Sequence, residues 1–531
     1  MFLFKWIGSF FSGLFGLFVP MFGAIKDIGK PGSAMRWLLH GVLFIGMLAL
    51  LAFIQYHYEI GRYVSAPHPY LRQAWLPLLG FLVYVNIWLL WLVWRLYDPK
   101  PGPSRWQDID FTWEMAATAI SRSGIDPSRV PLFLVLGRPA SGFGVLFDAA
   151  HIPLEVNGVP ESQLAPLQVF AGKQAVFIVS ADTCLLGAFA DRLSAQTQRM
   201  DMSRLSNIDP KASMSSAPVA PSDPAASNNP STKTLPPDAS TESAHAEAIP
   251  DVIMAITRDA ELLTRMHSRL DHLCRLIRGM RHPWCTLNGV LMVLPEMVTA
   301  DTQLATQAAI LAQRDLLAVI EASGVECPAV MLFSDAEKIL GFREFLSLVP
   351  KDKRDQRLGK PIPLALNQAA EKRADIMRRT IYWQCAELIP KLITRTFQIR
   401  TIDPASGAIR SGSGSGIDAR TNRQLVRLIG TMWARRRVMG DLCTRILGDN
   451  TVRPLRLAGC YFAATGSNRN SQGFLAELFA QIFEGQNFVV WTHDAVKAET
   501  TLMRVVYAGY ALTALVTVAT LALAAVVLRQ S

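Results

Sequence analysis

The segment "PLFLVLGRPASGFGVLFDAAHIPL", residues 131–154, closes an apolar run at Gly137, passes four residues, and reaches Gly142 before a helical pattern begins. That is the spacing of the phosphate loop G-x-x-x-x-G-K-[ST]. Its glycines let backbone N–H groups converge on phosphate at a helix N-terminus, its lysine adds a point charge, and its hydroxyl holds Mg²⁺. Here Phe143 stands at the lysine position and Gly144 at the hydroxyl position. Losing one charge-assisted contact weakens binding by about 1.5–3 kcal/mol, roughly ten- to a hundredfold. Losing magnesium coordination as well should harm hydrolysis more than binding. Arg138 could supply a cation, but from the start of the loop, where its side chain need not point inward. The candidate nucleotide loop is therefore Gly137, Arg138, Ser141, Gly142, Phe143 and Gly144, a degenerate set.

A loop of this kind needs a strand before it and a helix after it. "VPLFLVLG" is a short apolar run stopping at glycine, as a buried strand does. "QAVFIVSADT", "LNGVLMVLP" and "CPAVMLFS" are three more. Long helical patterns separate them, "IMAITRDAELLTRMHSRLDHLCRLIRGM" and "DTQLATQAAILAQRDLLAVIEASG" among them, and "FTWEMAATAISRSGI" reads as a helix ahead of the first strand. Strands alternating with helices predict an α/β fold, a parallel sheet with helices on both faces.

Between about residues 194 and 250 this order breaks into Ser, Pro, Ala and Asn with almost no large apolar side chain, which predicts a disordered insertion. After "GKPIPL" the pattern is helical, interrupted by the flexible loop "DPASGAIRSGSGSGID". "RPLRLAGCYFAATG" then reads as a strand and "SQGFLAELFAQIFEGQNFV" as an amphipathic helix. The basic run "ARRRV" could be a phosphate or lipid patch, though a solvated helix face is the commoner meaning of such a run.

The 531 residues are 50% apolar and 18% charged, with a net charge of +10. A mean hydropathy of +0.22 is too greasy for an ordinary soluble protein. Three apolar stretches, residues 37–54, 74–94 and 505–528, have the length to cross a bilayer. Lys5, Lys26, Lys30 and Arg36 precede the first, and Arg95, Lys100 and Arg105 follow the second. The loop between them has only Arg62 and Arg72, so the positive-inside rule puts the N-terminus and the main domain in the cytoplasm. The apolar start, with its glycines and Pro20, reads as an interfacial or re-entrant segment.

Lysine and arginine are scattered, and no zinc-ligand spacing or aromatic-basic signature appears, so nucleic acid is not expected. The seven cysteines are odd in number and form no C-x-x-C pair, which predicts reduced, mostly buried thiols and no metal site.

In order and in detail, the chain resembles the IcmF/TssM family, the large inner-membrane component of type VI secretion systems. "PLFLVLGRPASGFGVLFDAAHIPL" is similar to the family's "PWYLVLGPPGSGKTTLLxxSGLxFPL", and "RHPWCTLNGVLMVLP" to "RPxxPLNGVIVTVS". "CPAVMLFSDAEKILGFREFLSLVP" resembles "PVYVLVTKxDLLxGFxEFFxxL", and "LRLAGCYFAATG" resembles "LRGVYFTSG". The departures are chemical. Besides Phe143 and Gly144, the base-reading T-K-x-D becomes Ser334, Asp335, Ala336 and Glu337, with an acid in place of the lysine. The D-T-A-G expected after a strand has only a displaced counterpart in "SADTC", with Asp182 as candidate.

The resemblance implies a bacterial inner-membrane, multi-pass scaffold subunit of a type VI-like secretion complex. Its GTPase-like domain is expected to be inactive, with no catalytic residues and no cofactor; a GTP- or ATP-hydrolysing membrane NTPase with an unconventional loop is the alternative. A TssL/DotU-like inner-membrane protein, baseplate components, a second copy of the chain and membrane lipids are the implied partners. The family's periplasmic region beyond the third span has no counterpart, so a short form is expected.

The fold class expected is thus α/β, a membrane-anchored, degenerate P-loop GTPase-like parallel sheet followed by a helical subdomain, with three transmembrane helices. The organisation runs as an interfacial segment (1–36), a transmembrane hairpin (37–95), the first part of the NTPase-like domain (96–193), the insertion (194–250), the second part (251–365), a helical cytoplasmic subdomain (366–504) and the third span (505–528).

Overall fold

A computed structural model describes residues 33–59, 69–97, 105–162, 165–206, 256–364, 370–397, 400–402, 409–411, 419–447 and 455–528. The expected interfacial segment lies almost wholly outside the described residues, as does the expected insertion beyond residue 206. The chain forms two units, Met1–Pro103 with Val496–Ser531, and Ser104–Ala495.

In the first unit, helices α1 (Ser33–His57) and α2 (Pro69–Tyr97) form a hairpin. Its polar clamp is Gln55, which is buried: its Nε2 donates to the Arg72 carbonyl at 2.8 Å, and its Oε1 accepts the Leu76 N–H at 2.7 Å. The unit also holds the C-terminal part of the long last helix (His493–Leu528), where Asn86 donates to the Thr517 hydroxyl. Among apolar surroundings such pairs leave no polar group unsatisfied.

Among the described residues two helices are long and apolar enough to span a bilayer, Arg72–Trp94 and His493–Ala525. The expectation of three is therefore corrected. The apolar helix described within α1, Gly41–His57, is shorter than these two.

The second unit is built on an eight-stranded sheet ordered β2-β3-β4-β1-β5-β7-β11-β8. Its strands are β1 (Leu132–Gly137), β2 (Val156–Val159), β3 (Gln168–Ala171), β4 (Val176–Ser180), β5 (Gly289–Pro295), β7 (Ala329–Ser334), β8 (Leu358–Pro361) and β11 (Leu457–Phe462). The described residues also form three two-stranded ribbons: β6 (Val325–Glu326) with β14 (Val490–Trp491), β9 (Arg400–Ile402) with β10 (Ile409–Ser411), and β12 (Ala464–Thr465) with β13 (Gln472–Gly473). The strands β4, β1, β5, β7 and β11 run parallel, while β3 joins β4 and β8 joins β11 antiparallel. The sheet is mostly, not wholly, parallel, because short antiparallel strands close both edges. One of them, β8, lies in "LGKPIPL", whose Gly and Pro conceal a strand.

Each central strand is buried on both faces, as continuous apolar runs require. Leu132, Leu134 and Leu136 of β1 share the larger core with Val290, Met292 and Leu294 of β5. That core is completed by α3 (Gln107–Arg122), α5 (Leu185–Ser206), α6 (Ala260–Arg281), α7 (Thr302–Ser323) and α10 (Ala419–Leu447). Phe133 and Val135 point the other way, against α4 (Phe143–Ala149) and α11 (Ala476–Glu484). Helices α8 (Phe342–Leu348) and α9 (Ala370–Trp383) also belong to the unit. Six of the seven thiols are buried and all are free.

Two boundaries differ from expectation. The α5 helix runs through residue 194 to Ser206, since no Pro or Gly interrupts residues 191–206. The stretch after residue 366 is no separate helical subdomain: β11 is inserted between β7 and β8, so its six buried or half-buried residues complete the same sheet.

Candidate functional site

The chain leaves β1 for β4 on one side of the sheet and for β5 on the other, so the turn after β1 lies where the strand order reverses. Crevices outside the carboxyl ends of strands at such points are where α/β sheets take ligands. Gly137 ends β1 with φ +90°, and a Cβ there would collide with the Val293 carbonyl oxygen of β5. Gly142 has φ +85° and ψ 163°, a region open essentially to glycine alone, and its N–H donates to the Pro139 carbonyl at 3.1 Å. The two glycines thus perform the turn that the spacing predicts.

The side chains do something else. Phe143, Leu146 and Phe147 fall on one face of α4 and are buried in the second core. The ring at the lysine position therefore packs against the sheet. Gly144 is exposed, with open space where a Cβ would stand. Arg138 is engaged away from the loop, its Nη1 donating to the Asp191 carboxylate of α5 at 2.8 Å. The Ser141 hydroxyl oxygen is buried without a hydrogen-bond partner.

The structure brings the second candidate segment, Ser334 to Glu337, to the same loop. Asp335, just beyond β7, has φ +60° and is buried. Its Oδ2 accepts the Ala140 N–H of the loop at 3.1 Å and the Ser334 hydroxyl at 2.8 Å. Its own N–H donates to the Thr465 hydroxyl at 3.0 Å, and Lys338 lies 3.6 Å from its Oδ1. Glu337 accepts the Thr465 N–H at 3.0 Å, and burial raises its carboxyl above the usual range. The turns after β1, β7 and β11 are thereby joined, with a carboxylate of the chain itself on a loop amide.

Asp182 is not part of this arrangement. It follows β4 and lies 3.7 Å from Arg269, which pairs with Asp108 at 2.7 Å and sits over the Trp106 ring. Burial raises the Asp182 carboxyl, against the lowering pull of Arg269.

Two residues were not singled out by the sequence. Thr465, in the small-residue run after β11, supplies both bonds to the Asp335–Glu337 turn. Asp315 of α7 is fully buried and accepts the N–H groups of Leu185 and Leu186 at 3.0 and 2.9 Å, satisfying the start of α5. Burial pushes its carboxyl up to about 7. One acid inside the apolar pattern "ILAQRDLLAVI" was the available signal. Within "ARRRV", Arg435 pairs with Glu296, so the run is not one uniform solvated face.

Residues 264–469 match the family model of the IcmF-related N-terminal domain. No curated protein and no solved structure matches the chain. The matched range holds β5, β7, β11 and the Asp335–Glu337 turn, and it begins after the Gly137–Gly144 loop. Residues 264–469 thus carry an IcmF-related N-terminal domain, in line with the resemblance the sequence shows to the IcmF/TssM family.

Proposed function

We propose that the protein is an inner-membrane scaffold subunit of a type VI-like secretion membrane complex, and that its nucleotide-binding fold is structural rather than catalytic. The observation that carries the second half of this reading is Phe143. The position that would present a cation to phosphate instead contributes a ring to the core. The Asp335 carboxylate on the Ala140 N–H supports it, because an acid beside a phosphate loop repels the ligand the loop would take. The first half rests on the IcmF-related N-terminal domain at residues 264–469 and on the two bilayer-length helices.

In this reading the sheet domain is cytoplasmic, needs no cofactor, and offers surfaces to a TssL/DotU-like inner-membrane protein, to baseplate components, to lipids and to further copies of the chain. Fluorescent GTP and ATP analogues, titrated with Mg²⁺ against the purified chain, test the loss of nucleotide chemistry. Micromolar binding abolished by Gly142→Arg would defeat it and favour the unconventional NTPase. Co-purification with a TssL/DotU-like protein tests the scaffold role, and its absence would count against that role.

A further inference from the structure

Residues 366–447 carry fifteen Lys or Arg against six Asp or Glu, most of the chain's excess of positive charge. On α10 the side chains of Arg423, Val426, Arg427 and Arg437 are exposed. Among the described residues none of these three arginines has an ion-pair partner. The nearby acids are engaged elsewhere: Asp441 lies 3.7 Å from Arg378, and Asp375 lies 2.9 Å from Arg379.

Arg436 is different in kind. It is only 8% exposed, its guanidinium lies 3.3 Å from the Trp433 ring centroid and 5.0 Å from that of Tyr382, and one N–H donates to the Trp433 carbonyl. Its Nε has no acceptor, and no carboxylate among the described residues pairs with it. A buried cation without a counter-charge is unfavourable, and stacking on aromatic faces offsets only part of that. The two rings are nevertheless open to solvent, Trp433 at 53% and Tyr382 at 42% exposure.

We propose that this face of α9 and α10 docks an acidic, partly apolar protein segment. One carboxylate supplies the acceptor that Arg436 lacks, further acids pair with Arg423, Arg427 and Arg437, and an apolar side chain covers Trp433 and Tyr382. Tryptophan, tyrosine and arginine held rigid at one spot are the make-up of a protein–protein anchor. A bilayer surface or a nucleic-acid backbone would draw on accessible charges and needs no buried guanidinium. The proposal gives the scaffold reading a partner face, yet it does not depend on whether the nucleotide loop is active.

The test uses the full chain in detergent and a fluorescein-labelled helical peptide with Glu and Leu on one face. Its twin has Gln for Glu. The acidic peptide should bind in a salt-sensitive way and the twin should not. Arg436→Met should weaken binding about tenfold or more, and Arg427→Gln by a smaller factor. Should Arg436→Met lower the melting temperature sharply, Trp433→Ala and Tyr382→Ala probe the same surface through exposed rings, with the same loss expected. Equal binding of both peptides, no binding of either, or affinity unmoved by all three variants overturns the proposal. So does protection of Trp433 by phosphatidylglycerol nanodiscs or by an oligonucleotide when the acidic peptide gives none.

Discussion

The Asp335 carboxylate accepts the Ala140 backbone N–H at 3.1 Å, joining two turns 195 residues apart in the chain. Through Thr465 the same turn is tied to the end of β11. Replacing Asp335 with Ala leaves the Ala140 N–H without its acceptor and the Ser334 hydroxyl with only the Leu294 carbonyl at 3.4 Å. It should lower stability by about 2–4 kcal/mol. Asp335→Asn keeps one acceptor oxygen and tolerates the positive φ, so it should lose less. Denaturant midpoints of the two variants measure the difference; an Ala variant as stable as the parent would show that the tie is incidental.

Phe143 and Gly144 separate two kinds of departure from a working loop. Phe143→Lys puts an ammonium into the apolar core and should cost about 3–5 kcal/mol, with no rescue by nucleotide. Gly144→Thr stands on an exposed helical position with open space, so its melting temperature should stay near the parent's. A stable Phe143→Lys protein that gains nucleotide binding would reverse the reading of this position.

The two loop glycines should also rank. Gly142→Ala meets only an unfavourable backbone conformation, worth about 1–3 kcal/mol. Gly137→Ala adds a collision with the Val293 carbonyl and must push β1 and β5 apart. Thermal melts of both variants decide this: Gly137→Ala should be the less stable, and the opposite order would contradict the geometry.

Asp315 makes a pH prediction. Burial holds its carboxyl at about 7, above the unfolded value near 4, so its contribution is greatest when it is protonated. That contribution is fully present below about pH 4 and declines as pH rises through 7, by up to about 1.4 kcal/mol per pH unit. Asp315→Asn cannot ionise and should flatten this part of the stability–pH curve, while giving up one of the two acceptors for Leu185 and Leu186. A slope between pH 4 and 7 that is the same in both proteins would remove Asp315 as its source.

Much of the sheet was legible because a strand buried on both faces must be apolar throughout. The runs "VPLFLVLG", "QAVFIVSADT", "LNGVLMVLP" and "CPAVMLFS" hold the four neighbouring parallel strands β1, β4, β5 and β7. Strand β8 was not legible, since "LGKP" has only Leu358 buried and is fixed by pairing with β11.

The amino-acid sequence by itself determined the loop's turn, since glycine is the residue that tolerates positive φ at 137 and 142. It also determined the chemistry that is missing at 143 and 144, because no packing can make a phenyl ring a cation or a glycine a hydroxyl. Only the tertiary structure decided where the substitutes go. Phe143 is in the core because α4 lies against β1 and β4, and Arg138 is spent on Asp191 because α5 passes beside the loop. The Asp335 carboxylate meets Ala140 because parallel strands bring their carboxyl ends to one edge of the sheet. Such a contact depends on strand order, which a linear pattern of residues does not contain.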